Sequence, residues 1–71
     1  MLEKLKKYVN YVYARAEKSA KTWEDIENYR ARAYGALMFC IDSDLVNYDE
    51  VSEYWNVMWE KFFKLREKFV E

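Results

Sequence analysis

The chain of 71 residues contains no histidine and no proline, and only one glycine and one cysteine. Without histidine, the commonest side chain for acid–base and metal work near neutral pH is missing. The lone Cys40 rules out an internal disulfide and has no imidazole to activate it, while Ser19, Ser43 and Ser52 have no base in their sequence context. Carboxylates do cluster, but with no glycine-rich loop or cleft-building element beside them, so the sequence points away from an enzyme and calls for no metal or other cofactor. No apolar run approaches the roughly 18 residues of a membrane span. The lysines of Met1-Leu2-Glu3-Lys4-Leu5-Lys6-Lys7 are not followed by the apolar stretch of a secretory leader. The expectation is a soluble, complete, cytoplasmic protein whose thiol behaves as a small apolar group within Ala36-Leu37-Met38-Phe39-Cys40-Ile41.

What the chain has in excess is aromatic residues: seven Tyr, four Phe and three Trp, 20% of the sequence. A domain this short buries only about 60% of the surface its unfolded chain exposes. Some of these rings are therefore expected at the surface, available to a second molecule or to another copy of the chain.

The scarcity of glycine and proline predicts one all-α domain over residues 1–71, with helices at about 2–19, 22–41 and 47–70 forming a three-helix up-down-up bundle. Leu2, Leu5, Val9, Val12 and Ala16 share one face of the first helix. Thr22 is placed to cap the second, with Glu24, Asp25 and Glu27 at the positive end of its dipole and Lys18 and Lys21 at the negative end of the helix before. Ile26, Tyr29, Ala33, Leu37 and Cys40 form its apolar face. The third boundary is the most explicit: Asn47 as N-cap, Glu50 as its capping-box partner, and Val46 and Val51 as a hydrophobic staple. Val51, Trp55, Met58, Phe62, Leu65 and Phe69 then follow a heptad-like seam. One alternative remains open at this point. The register also continues through Ser19, Trp23, Ile26, Arg30, Ala33, Leu37 and Cys40, so residues 2–41 could be one helix about 60 Å long, a helical hairpin obliged to dimerise.

Charge is segregated although the net is −1: residues 1–22 carry six basic and two acidic groups, whereas residues 42–60 carry six acidic groups and no basic one. The acidic stretch, with Asp42, Asp44 and Glu53 beside Tyr48, Tyr54, Trp55 and Trp59, and with Phe39 as a further aromatic anchor, is the first candidate surface. It suits another protein, specifically a basic one of the kind that grips nucleic acid. Capping accounts for Asp49 and Glu50 but not for Asp42, Asp44 and Glu53. Asp42, Asp44 and Glu53 match positions 1, 3 and 12 of an EF-hand loop, but Val46 and Asn47 stand where an oxygen ligand and a glycine are needed.

The second candidate is a stripe of Lys4, Lys7, Tyr11, Arg15 and Lys18 opposite the apolar face of the first helix, which ranks behind as a nucleic-acid-binding face because four cations make few phosphate contacts. The same helix could lie on an anionic membrane only by giving up Leu2, Leu5, Val9 and Val12, which the core needs, so no membrane partner is expected. Two further stripes exceed what a one-sided bundle requires: Ala31, Gly35 and Phe39 on the second helix, and Trp59, Phe63 and Val70 on the third, where Arg66 is spaced for cation–π contact with Phe62 and Phe63.

The run Arg32-Ala33-Tyr34-Gly35-Ala36-Leu37-Met38-Phe39, followed by Tyr54-Trp55 and by Trp59 ahead of Phe62-Phe63, resembles small helical proteins encoded by bacteriophages and mobile elements of Firmicutes. The resemblance spans about half the chain. It implies a cytoplasmic accessory protein of a bacterial host; some proteins of this size and origin, anti-CRISPR proteins among them, bind and block a host machine. It assigns no site residues. The reading is thus a protein-binding module, with a nucleic-acid binder and a structural homo-oligomer, such as a homodimer, as the alternatives.

Overall fold

The computed structural model describes residues 1–69, which form three helices: α1 (Leu2–Ser19), α2 (Trp23–Asp42) and α3 (Tyr48–Glu67). They pack as a bundle with principal extents of 39 × 18 × 16 Å. The first break settles the one open question of topology. Ala20 turns extended (φ −69°, ψ 139°), and Thr22 accepts a hydrogen bond from the Asp25 N–H while the Asp25 carboxylate accepts from the Thr22 N–H. Residues 2–41 are therefore two helices, not a protruding rod.

This capping box also sets a pH dependence. The Lys21 N–H, 2.9 Å from the Asp25 Oδ2, is the main reason the Asp25 carboxyl is held below its usual range, with the Thr22 N–H adding to it. A carboxylate stabilised in the folded state contributes fully above its unfolded pKa of about 4, and that contribution is lost as pH falls through the lowered folded value. Acid titration followed by amide hydrogen exchange is expected to loosen the first turn of α2 below about pH 4. In Asp25→Asn, that step should vanish.

The second break is made of two different devices. At the end of α2, Asp44 has φ 58°, the Asp44 N–H donates to the Ile41 carbonyl (3.1 Å), and the Leu45 N–H donates to the Cys40 carbonyl (2.8 Å). This is a Schellman ending, with aspartate in the left-handed position that glycine usually takes. Asp44 thus has a backbone role that its charge alone did not indicate. Three residues later the Asn47 side chain accepts from the Asp49 N–H (3.2 Å), and Glu50 accepts from the Asn47 N–H (2.9 Å). Val46 and Val51 are both buried, as the staple requires.

The core takes one stripe from each helix: Leu5, Val9, Val12 and Ala16; Ile26, Ala33, Leu37 and Cys40; Val51, Met58, Phe62 and Leu65. The stripes are the expected ones, with Tyr29, Trp55 and Phe69 packing half-buried at their edges. Most core side chains are small, so aromatic rings fill the joint between α1 and α3. Tyr13 meets Phe62 edge-on at 5.2 Å, and the Tyr54 hydroxyl donates across the gap to the Lys6 carbonyl (3.1 Å) or to Asn10 Oδ1 (2.8 Å). Burial raises the Tyr54 phenol above its ordinary range.

Gly35 contributes nothing to this packing. It lies mid-helix in α2, exposed, and a Cβ added there would meet no atom within 4 Å. Gly35→Ala is expected to stabilise the fold by about 0.5–1 kcal/mol, read as a higher urea midpoint at an unchanged slope.

Candidate protein-interaction surface

Phe62 is the one aromatic side chain that is fully buried among the described residues. Tyr8, Tyr11, Trp23, Tyr34, Phe39, Tyr48, Trp59 and Phe63 are exposed, so more than half of the fourteen rings face outward. A lone exposed apolar residue is ordinary in a soluble protein, but a contiguous patch is not. The decisive point is whether these rings lie together.

Five of the eight belong to the flank where α2 meets α3. Trp55, half-buried, stacks at a tilt on Tyr34 (5.6 Å between centroids) and edge-on against Trp59 (6.2 Å). The Arg30 guanidinium lies 4.6 Å above the Trp59 ring and is itself held by a two-point pair with Glu27 (3.2 and 3.3 Å). Further along, Arg66 sits 5.1 Å from the Trp23 ring and 5.9 Å from Phe63. At the α3 N-terminus, Tyr48 lines a depression with Tyr34, Met38, Ser52, Trp55 and Asn56. The result is a ladder of rings along most of the bundle, with two guanidinium groups, Arg30 and Arg66, set among them. Tyr34, Trp55, Trp59 and Trp23 each meet a neighbour on the other helix, so these four have little side-chain freedom left to lose on binding.

The carboxylates flank this ladder. Asp49, Glu53 and Glu60 recur at four and seven residues, on one exposed stripe of α3. Glu60 shares a groove of about 340 Å³ with Trp59, Phe63, Lys64 and Glu67. Among the described residues the only ion pair is Glu27–Arg30, so none of Asp49, Glu53 and Glu60 is neutralised within the chain.

The residues named from the sequence divide accordingly. Tyr48, Trp55 and Trp59 lie on the ladder and Glu53 lies on the acidic stripe beside it. Asp42 and Asp44 sit at the α2–α3 turn, with Asp44 engaged in the helix ending. Among the described residues, no group of three acidic or thiol side chains is close enough to hold a metal ion. Tyr54 faces α1 and is engaged there, with the Lys6 ammonium 5.4 Å from its ring, so it ties the bundle together. Phe39, 64% exposed, is on the other side of α2, in a groove with Met1, Lys4, Tyr8 and Ala36. Phe63 joins the ladder, whereas Val70 lies outside the described residues.

Sequence reasoning missed Trp23, Arg30 and Tyr34. An arginine in a seam register otherwise filled by Trp23, Ile26, Ala33 and Leu37 was the available signal. Such a position is tolerated when the aliphatic stem packs and the guanidinium finds a ring. The spacing sets Arg66 against Phe62 and Phe63; it meets Phe63 and, on α2, Trp23, whereas Phe62 is buried in the core.

On α1 the stripe of Lys4, Lys7, Tyr11, Arg15 and Lys18 is exposed throughout. Arg15 Nη1 donates to the Tyr11 hydroxyl at 3.2 Å, and its guanidinium lies 5.9 Å from the same ring. No described helix is long and apolar enough to cross a membrane.

Comparison with protein-family models, curated proteins and solved structures finds no match, so the function of this surface must be argued from its own residues.

Proposed function

We propose that the chain is a non-enzymatic protein-binding module that covers a basic surface of its partner with the aromatic ladder and acidic stripe of α2 and α3. The observation that carries this reading is the concentration of exposed, cross-braced rings on one flank, next to unpaired carboxylates. Tryptophan, tyrosine and arginine dominate the energetic centres of interfaces. A standard interface takes about 800 Å² from each partner, a modest share of the 5163 Å² surface of the described chain. Carboxylates at the rim would speed encounter and exclude acidic competitors, while the rings supply the affinity. The mode of action would be occlusion, as in a phage-type inhibitor or an adaptor, since the flank offers area and charge but no enclosed pocket of converging polar groups.

The test is affinity capture from the source cell with the wild-type chain and with Trp59→Ala/Glu53→Lys in parallel. A basic protein retained by the wild type and lost by the variant supports the reading. A partner retained equally by both places the interface elsewhere.

A further inference from the structure

We infer that the acidic stripe of α3 has a second occupant, the α1 basic stripe of another copy of this chain. The inference rests on the same α3 face as the proposed function, but it requires no outside partner.

The two stripes match in sign, length and setting. Lys4 to Lys18 spans about 21 Å of helix and Asp49 to Glu60 about 17 Å. The basic residues carry no carboxylate between them on their face, and among the described residues Asp49, Glu53 and Glu60 form no ion pair, Lys64 sharing Glu60's groove without pairing to it. Each stripe also borders an apolar depression: Met1, Tyr8, Ala36 and Phe39 beside Lys4, and Trp59 with Phe63 beside Glu60. Docking one on the other sets cation against carboxylate and ring against ring.

Each stripe is the core-distal face of a different helix, so the two are turned to different sides of the bundle and the contact is heterologous. Each copy keeps one patch of each kind available, so association continues into chains or closes into a ring instead of stopping at a two-fold dimer. Exposed charge pairs are individually weak and screened by salt. The association is accordingly weak, strongest at low ionic strength, and displaced by any tighter basic partner, which makes self-association a reversible mask over the binding face.

Sedimentation velocity on the full chain, from about 20 μM to about 0.5 mM and in about 50 and 500 mM salt, tests this. Wild type is expected to show weight-average mass rising with concentration past a dimer at low salt, and monomer at high salt. Lys7→Glu/Arg15→Glu and Glu53→Lys/Glu60→Lys are each expected to weaken association about tenfold or more. The four changes combined restore the net charge of −1 and are expected to restore association, which overall charge cannot explain. Far-UV circular dichroism checks that each variant is folded.

A wild type that stays monomeric at low salt overturns the inference, as does a fourfold variant that fails to recover while folded. Retardation of a short oligonucleotide by a monomeric wild type, lost in Lys7→Glu/Arg15→Glu, would overturn it in favour of a nucleic-acid face on α1. A monomeric wild type that still captures a partner through Trp59 leaves the proposed function standing; intact self-association with no captured partner does the reverse.

Discussion

Phe62→Ala is expected to remove most of the chain's stability and leave a substantial unfolded fraction at 25 °C. Phe62 is completely buried, the largest of the fully buried side chains, and it carries the edge of Tyr13 at 5.2 Å. Phenylalanine-to-alanine changes in cores cost about 3–5 kcal/mol. At about 0.05–0.15 kcal/mol per residue, a chain of this length has roughly 4–10 kcal/mol in all, and small domains lie toward the low end. The loss thus takes most of the stability. It also detaches α3 from α1, whose joint depends on Tyr13 and Tyr54 more than on close helix approach. Far-UV circular dichroism and a urea titration read the outcome. A variant that melts cooperatively within about 1 kcal/mol of wild type would mean that the packing around Phe62 is wrongly described.

The second large effect concerns binding without loss of fold. Trp59→Ala is expected to weaken a captured partner about 30-fold or more, equivalent to the roughly 2 kcal/mol that marks an interface hot spot. Its own stability should change by about 1 kcal/mol or less. Trp59 is 42% exposed, and its removal leaves Arg30 its pair with Glu27. Tyr54→Phe is the informative contrast. That change removes the hydroxyl's bridge to Asn10 and Lys6 and so costs about 0.5–1.5 kcal/mol of stability, while leaving partner affinity intact. Equilibrium unfolding and a titration of the two variants against the partner separate a ring that binds outward from one that ties the bundle.

The contrast between Trp59 and Tyr54 also marks how far the sequence is legible. Caps are local events among residues three or four apart, so Thr22 as a cap and Asn47 with Glu50 could be read directly, and with them the starts of α2 and α3 and the up-down-up order. The return bond from the Thr22 N–H to Asp25 went unread, and α3 ends at Glu67, short of the expected 70, with no cap motif there to mark it. Helical periodicity likewise names the core stripe of each helix. Flanking positions are another matter. Tyr54 and Trp55 are neighbours in sequence, yet one turns to α1 and the other to α2, because they stand on opposite edges of the α3 core stripe. Phe39 was grouped with the α3 aromatics by type, whereas its position on α2 sends it to the α1 side. Asp44 in a left-handed helix ending was hidden because glycine is the usual signal there. The Arg30–Trp59 and Arg66–Trp23 contacts join separate helices, and no spacing within one helix reveals them.

Binding through the α2–α3 flank requires that its rings stand in solvent, braced and available. Acrylamide quenching of single-tryptophan variants at high salt, where copies do not cover one another, reads that exposure ring by ring. With Trp23→Phe/Trp55→Phe, the remaining Trp59 is predicted to emit at long wavelength and quench efficiently, and with Trp23→Phe/Trp59→Phe the half-buried Trp55 should be markedly better protected. Blue-shifted emission from Trp59, quenched no more readily than Trp55, would mean that the flank is covered and no binding face stands there.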